Sequence, residues 1–263
     1  SRKLDEELGA AFQGGILEID DSETWTLASI NLRGRARPIE LRAADRRVPL
    51  VRLVPAGGRC VLSLDANPLV LDSLSLTGGD LAFDVPAGVR ASVTLRRCTL
   101  HPRRVRVLVS GGGAVDLVVE RSIVGDLAVR PGSVTLRDSL AGAAEGGFVK
   151  RVDARTSVTG AIGADTLTVE RTTVLGPASA DTLALASDAL FLSPVTVKFA
   201  QRGCVRFCHV PIGSVTPPRF RCQPDLALAA ALSPDENAGI ARRVAPIFTS
   251  LRYGDPGHGQ LDA

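Results

Sequence analysis

Cys204, Cys208, His209 and Cys222 form the densest group of candidate metal ligands or nucleophiles in the chain. A zinc ion takes four nitrogen or sulfur ligands in a tetrahedron. The spacing suits this poorly, because three residues separate Cys204 from Cys208 where two are usual, and Cys208 and His209 are adjacent. On a strand, 204 and 208 share a face while 209 points away. Buried thiols, or a single Cys204–Cys222 pair, are the plainer reading, and zinc on these four is the alternative. Cys60 and Cys98 bring the total to five, an odd number that leaves a free thiol however the others pair. That pattern suits a reducing, cytoplasmic setting.

Carboxylates are the next candidates. Asp116, Glu120, Asp126, Asp138, Asp153, Asp165 and Glu170 are scattered along the middle of the chain. Glu120 and Glu170 fall at equivalent places in a repeat, followed by Arg121 and Arg171. Acid–base cleavage of a glycosidic bond needs carboxyl groups ~5–9.5 Å apart. These two are separated by about three coils of a repeat, or ~14 Å at one strand spacing per coil. A solvated outer face with opposite charges is the simpler reading. Gly111-Gly112-Gly113 lacks the Lys-Ser/Thr of a phosphate loop and reads as a corner turn. His101 and His258 are lone histidines in turn regions, and no Ser-His-Asp arrangement emerges. No catalytic residue and no cofactor is therefore assigned.

The composition narrows the classes. Apolar residues make up 45% of 263, ample for a core, but they are mainly Val, Leu, Ile and Ala, with one Trp, one Tyr and no Met. So few aromatics leave little for stacking on sugars or bases. The 31 basic residues nearly balance the 28 acidic ones, so no nucleic-acid partner is expected. Most of the basic residues are Arg, which reads as the codon bias of a GC-rich genome. No apolar run approaches the ~20 residues of a membrane span. The chain opens at Ser1 rather than Met, which fits a cleaved tag or a processed fragment.

What would position any of these side chains is a repeat. Leu117-x-Val119-x-x-Ser122 and Val134-x-Leu136-x-x-Ser139 are nearly the same phrase. Val93-x-Leu95-x-x-Cys98 precedes them. Val152-x-Ala154-x-x-Ser157, Leu167-x-Val169-x-x-Thr172 and Leu183-x-Leu185-x-x-Asp188 follow, with weaker relatives beginning at Leu62 and Leu74. Steps of 15 to 24 residues leave no room for crossover helices. Alternation at period two makes short strands, and a fixed phrase makes successive strands stack. The apolar pair points inward and the small residue sits at a crowded bend, so 98, 122, 139, 157, 172 and 188 should form one ladder. The fold class is all-β: a right-handed, single-stranded parallel β-helix, or solenoid, with a short helical and irregular C-terminal cap. The uneven coil length disfavours a left-handed hexapeptide helix, and parallel crossovers are right-handed in nearly all cases.

A solenoid needs covers at its ends. Residues 1–38 read as an N-terminal cap and first strand, with a short helix over 3–14 and a strand at GILEID. Residues 39–198 read as the coils, and 199–263 as a C-terminal cap or docking segment. Ser233 could cap a short helix starting at Pro234. Within that segment, GCVRFCHVPIGSVTPPRFRC (203–222) resembles a block of uncharacterised β-helix-containing bacterial proteins, some linked to phage-tail-like contractile systems. The resemblance covers about the last quarter of the chain in sequence, and the rest only in its style of repeat. It implies no activity, and the place of Cys208 is usually Ser in that block.

These observations point to a non-enzymatic structural or adhesive β-helix domain in a larger assembly, with protein partners through the helix ends and neither nucleic acid nor membrane. A polysaccharide lyase or hydrolase on the same fold is the alternative. A cleft lined by three or more clustered charged side chains on one sheet would favour the enzyme, and scattered charges the structural domain.

Val119→Asp or Leu136→Asp should abolish soluble expression, because an unpaired charge in an aliphatic stack costs several kcal/mol. Glu120→Ala should shift stability by no more than about 0.5 kcal/mol. Equal melting temperatures for all three variants would contradict the inside/outside assignment.

Overall fold

The repeated apolar pairs are the core. Leu117, Val119, Val134, Leu136, Leu167 and Val169 are all fully buried, on strands whose other side chains face outward. The computed structural model describes residues 2–101, 105–142, 162–231, 233 and 236–262. Nearly all its regular structure is strand, and every pairing between strands is parallel, as a β-helix-like coil requires. The chain visits three faces in a constant order. Face one carries the phrase, on Arg90–Arg96, Ala114–Glu120, 132–137 and 166–170, each in register with the next. Face two is built of short strands such as Thr99–Leu100, Ile123–Val124 and Leu140–Ala141. Face three holds Arg59–Ser63, Asp80–Val85, Val107–Gly111 and 127–129. One continuous strand, Leu127–Arg137, runs from face three into face one. It bends at Gly132 (φ 149°), where a Cβ would lie 2.0 Å from the Val115 carbonyl oxygen, so no side chain fits.

The corner between faces one and two explains the small residue of the phrase. The residue before it takes a left-handed conformation: Arg97 (φ 54°), Arg121 (49°), Asp138 (49°) and Arg171 (45°). Non-glycine residues enter that region at a cost of about 1 kcal/mol each. The bend is held because their N–H groups stay in the ladder: Arg97 donates to the Glu120 carbonyl at 2.9 Å, and Arg121 to that of Arg137 at 3.0 Å. The small residue then turns inward. The Ser122 hydroxyl donates to the Glu120 carbonyl (2.7 Å) and accepts the Cys98 N–H (2.9 Å). Ser139 repeats this with the Arg137 carbonyl (2.6 Å) and the Ser122 N–H (3.1 Å), and Thr172 with the Glu170 carbonyl and the Ser139 N–H. One hydroxyl per coil thus ties its own backbone to that of the preceding coil.

The expected ladder differs in two places. The copy at Val152-x-Ala154-x-x-Ser157 lies outside the described residues, and Val134 pairs directly with Leu167. In the last copy the register slips between Leu167 and Thr168, so Leu185 faces outward opposite Thr168 and Ala186 points in. Asp188 therefore takes the left-handed position (φ 55°), and Ala189 the buried corner. The weaker relatives at Leu62 and Leu74 also shift. The face-one strand there is Leu69–Asp72, with Leu69 opposite Val93 and Leu71 opposite Leu95.

Parallel pairing reaches past 39–198 at both ends. It begins with Arg2–Lys3 against Thr24–Leu27 and Gly15–Ile19 against Ile39–Ala43, and continues through Cys204–Arg206 to Arg219–Phe220. The N-terminal helix is only Leu4–Glu7, shorter than 3–14, because Gly9 disfavours continuation. Its Leu4, with Leu8, is buried in the core cluster. At the other end Arg219 stands opposite buried Val205. Its guanidinium reaches Thr216, the Ser214 carbonyl and Asp225, so a charged head lies over the last aliphatic layer. An inward-pointing charge of this kind blunts a sheet edge. Helices Asp225–Leu228 and Asn237–Arg243 follow; Glu236 takes the N-cap place of the second, and Pro234 lies outside the described residues. The tail then returns to the flank, with the Tyr253 ring 4.7 Å from that of His101 and Gly259 against Leu140.

Ser139→Ala should lower stability by about 1–2 kcal/mol, since it orphans the buried Ser122 N–H. Ser139→Cys should cost less, as Cys98 occupies the same column. Thermal denaturation of both variants checks this; an alanine variant as stable as the parent would remove the hydroxyl ladder from the account.

Candidate functional site

Outward side chains on face one alternate between opposite neighbours along the stack. At one repeat position the residues in register are Glu18, Arg42, Asp72, Arg96, Glu120, Arg137 and Glu170, one per successive strand. The signs alternate without exception over these seven strands. Arg42 reaches Glu18 at 2.8 Å, Arg96 reaches Asp72 at 2.7 Å, and Arg137 bridges Glu120 (3.3 Å) and Glu170 (3.2 Å). The left-handed column beside it adds Arg171 to Asp138 at 2.7 Å.

Asp72 differs from the rest, because its side chain is only 1% exposed. Its carboxylate accepts from Arg96 Nε (2.9 Å), Arg97 Nε (2.8 Å) and the Ser73 hydroxyl (3.0 Å). Burial by itself would raise its pKa. The hydrogen bonds from Arg97, Arg96 and Ser73 outweigh burial and hold the carboxyl below its ordinary value. It stays ionised and saturated, which suits a brace and not a proton donor.

Around Asp72 the face dips into an open cleft of about 470 Å³. Its floor is face one: Glu18, Glu40, Arg42, Asp72, Arg96 and Arg97. Its wall is the 44–49 loop between Ile39–Ala43 and Leu50–Leu53, which contributes Asp45, Arg46 and Arg47. Later corners turn in two residues, as at Arg97-Cys98 or Arg121-Ser122; this one takes six. The charges clustered on one sheet are the feature expected of an enzyme. Those charges are largely paired with one another, which is the feature expected of a brace.

The cysteine group does not assemble. Cys208 and Cys222 are buried in the small-residue corner column, one coil apart, while Cys204 is exposed on face one. The expectation that 204 and 208 share a face fails because the left-handed turn at Phe207 (φ 54°) breaks the alternation between them. His209 Nδ1 lies 3.0 Å from the Phe191 carbonyl. All five cysteines are free, so the Cys204–Cys222 pair is not formed. Among the described residues no three His, Cys, Asp or Glu side chains stand together as a metal site. Burial pushes the Cys98 thiol up to about 12 and the Cys208 thiol up to about 11, so neither is a ready thiolate.

Glu120 and Glu170 are two strands apart and not three, since the step from Arg137 to Glu170 is a single step of the ladder. The ~10 Å between their strands is filled by the Arg137 guanidinium, which leaves no room for an attacking water. Asp153 lies outside the described residues. Gly111-Gly112-Gly113 is the corner between Val107–Gly111 and Ala114–Glu120, as expected. His101 and His258, far apart in sequence, meet through Tyr253, whose ring is 5.6 Å from that of His258. Asp72 and its arginines escaped sequence reading because the phrase there ends in Leu74, not in a small polar residue. Aligning Leu69-Val70-Leu71 with Val93-Thr94-Leu95 would have exposed the alternating charges.

Searches of protein-family models, curated proteins and solved structures found no match to this chain. No helix among the described residues is long and apolar enough to cross a membrane.

Asp72→Asn should cost about 2–3 kcal/mol, somewhat below a fully buried pair because both guanidiniums are half exposed. The folded carboxyl is held below its unfolded value of ~3.9, so its stabilisation is complete above that pH and is lost as the pH falls through the folded value. Melting temperatures of parent and variant should differ by a constant amount between pH 5 and 8 and converge on acidification. A gap that widens below pH 4 would refute the brace.

Proposed function

We propose that this chain is a non-enzymatic structural or adhesive β-helix domain within a larger assembly. The observation that carries this reading is the alternating charge column. Side chains that could do acid–base chemistry are used to tie each coil to the next. Glu18, Asp72, Glu120 and Glu170 each meet an arginine from a neighbouring strand. The serine, threonine and cysteine side chains at the corner are likewise turned inward as backbone partners. The coils of this domain wind right-handed. Uneven coil length and the strong preference of parallel crossovers for that hand support this. Free buried thiols are in keeping with a cytoplasmic setting. Protein partners engage the rod near its ends; at the C-terminal end Phe207, Ile212 and Phe220 are exposed. The 203–222 block supports an origin among bacterial β-helix proteins of contractile, phage-tail-like systems.

The cleft favours a second reading, a polysaccharide lyase or hydrolase, because it gathers Glu18, Glu40, Arg42 and Arg96 on one sheet. Against it, the most buried carboxylate in the cleft is ionised and fully hydrogen-bonded. A general acid needs its carboxyl raised, not lowered.

Incubation with pectin, alginate and hyaluronan, with and without Ca²⁺, should release neither unsaturated nor reducing ends. Product formation that disappears in Glu40→Gln would overturn the structural reading in favour of the enzyme.

A further inference from the structure

We propose that the cleft beside the 44–49 loop is a binding site for a small oxyanion-bearing ligand, held by Arg46 and Arg47 of the loop and Arg97 of the floor. The inference goes beyond the structural role and does not depend on it, since the coils pair whether or not the cleft is filled.

Three features converge. The first is an uneven charge balance. On the floor, Glu18, Glu40 and Asp72 match Arg42, Arg96 and Arg97, with Glu40 3.7 Å from both Arg42 and Arg96. The loop sets Arg46 and Arg47 against the one carboxylate of Asp45, so one positive charge is left over among the residues lining the cleft, and the Arg97 side chain is still 53% exposed. The second is pre-organisation. Asp72 fixes Arg97 through Nε and Nη2, so the remaining edge of that guanidinium is held in place before any ligand arrives. The third is the loop. Its base is pinned, with the Ala44 N–H on the Ile19 carbonyl, the Arg47 N–H on the Ala44 carbonyl and the Val48 N–H on the Ser22 hydroxyl. Its tip carries Arg46 and Arg47, neither of which donates a side-chain hydrogen bond to a carboxylate among the described residues. Arg46 comes no nearer than 3.9 Å to Asp45, with both side chains more than 90% exposed. A loop pinned at its base that offers two such arginines does not brace the sheet by hydrogen-bonded pairs of the kind seen along the column, although Arg47 attracts Asp21.

Planar guanidiniums match carboxylate, sulfate and phosphate oxygens two at a time. The cleft volume of about 470 Å³ suits a small molecule or the end of an oligomer. Glu18 and Glu40 beside the arginines supply acceptors for hydroxyl groups, so a polyhydroxylated ligand with one oxyanion fits the set. The same two carboxylates repel a dense phosphate backbone, and no aromatic side chain lines the cleft for base stacking.

Titration calorimetry with inorganic phosphate, inorganic sulfate and D-glucuronate, each at low and at high NaCl, tests the site. At least one should bind, more weakly at high salt, and the three arms tell a tetrahedral anion from a sugar carboxylate. The double variant Arg46→Ala/Arg47→Ala should weaken that binding about tenfold or more, as expected for losing a charge-assisted contact. Its melting temperature should equal that of the parent, because both side chains are solvated. Arg97→Gln should weaken binding as well; should it fail to fold, the loop variant decides alone. No binding by any of the three, or binding that the loop variant leaves unchanged, overturns the site.

Discussion

Parallel strands cannot be joined by a tight hairpin. A chain that stacks them in register must turn corner after corner while keeping every buried backbone N–H in a hydrogen bond. Here the corner between faces one and two meets that demand with two residues. The first accepts a left-handed backbone, and its N–H still reaches the next coil; the second turns a short polar side chain inward to take up the N–H that the bend would orphan. Removing such a partner from a buried donor costs more than the bond contributes when made. This explains why the position holds Ser, Thr or Cys from Cys98 onward, while Ala189, which follows the bulge, shares only their small size.

Everything outward of the corner inherits its phase. Once the corner residue is set, the residues before it alternate in and out, and the same outward position recurs on each coil. The charge column exists only because of that phase. Each exposed pair contributes little, in the range of ~0.2–1 kcal/mol. Their alternation still matters for register. A slip of one coil would place like charges opposite one another, which is destabilising. Among the described residues Asp72 is the one charge withdrawn from water, and it is matched by two arginines and a serine. The bulge in the strand Ala178–Ser187 shows the phase being reset, since Ala189 and not Asp188 returns to the corner column.

The scaffold absorbs most of the residues whose chemistry first draws notice. Cys98, Cys208 and Cys222 are corner residues, Glu120 and Glu170 are neighbours of Arg137, and the glycine triplet is a turn. What the scaffold does not absorb lies where the coil departs from its own rule. The six-residue loop at 44–49 raises two arginines over the sheet, and the exposed Phe207 and Phe220 stand near the last coils. Function in a repetitive fold is most readily sought at such departures.

The alternation of apolar residues, the recurring phrase and the poverty in aromatics were enough to place the chain among parallel all-β folds and to name its inward side chains. Those are local properties: a period of two assigns faces, and a repeated phrase implies stacking. Which coil lies beside which was not local. The 33-residue step from Arg137 to Glu170 reads in sequence as two coils and is one step in space. The phrase at Leu69 was hidden because its corner residue is Leu74. The charge column and the cleft depend on that register, so they were invisible until strands were paired. Burial of Asp72, the separation of Cys204 from Cys208 and the meeting of His101 with Tyr253 were likewise decided by tertiary structure, because each depends on where a distant coil or the returning tail places its backbone.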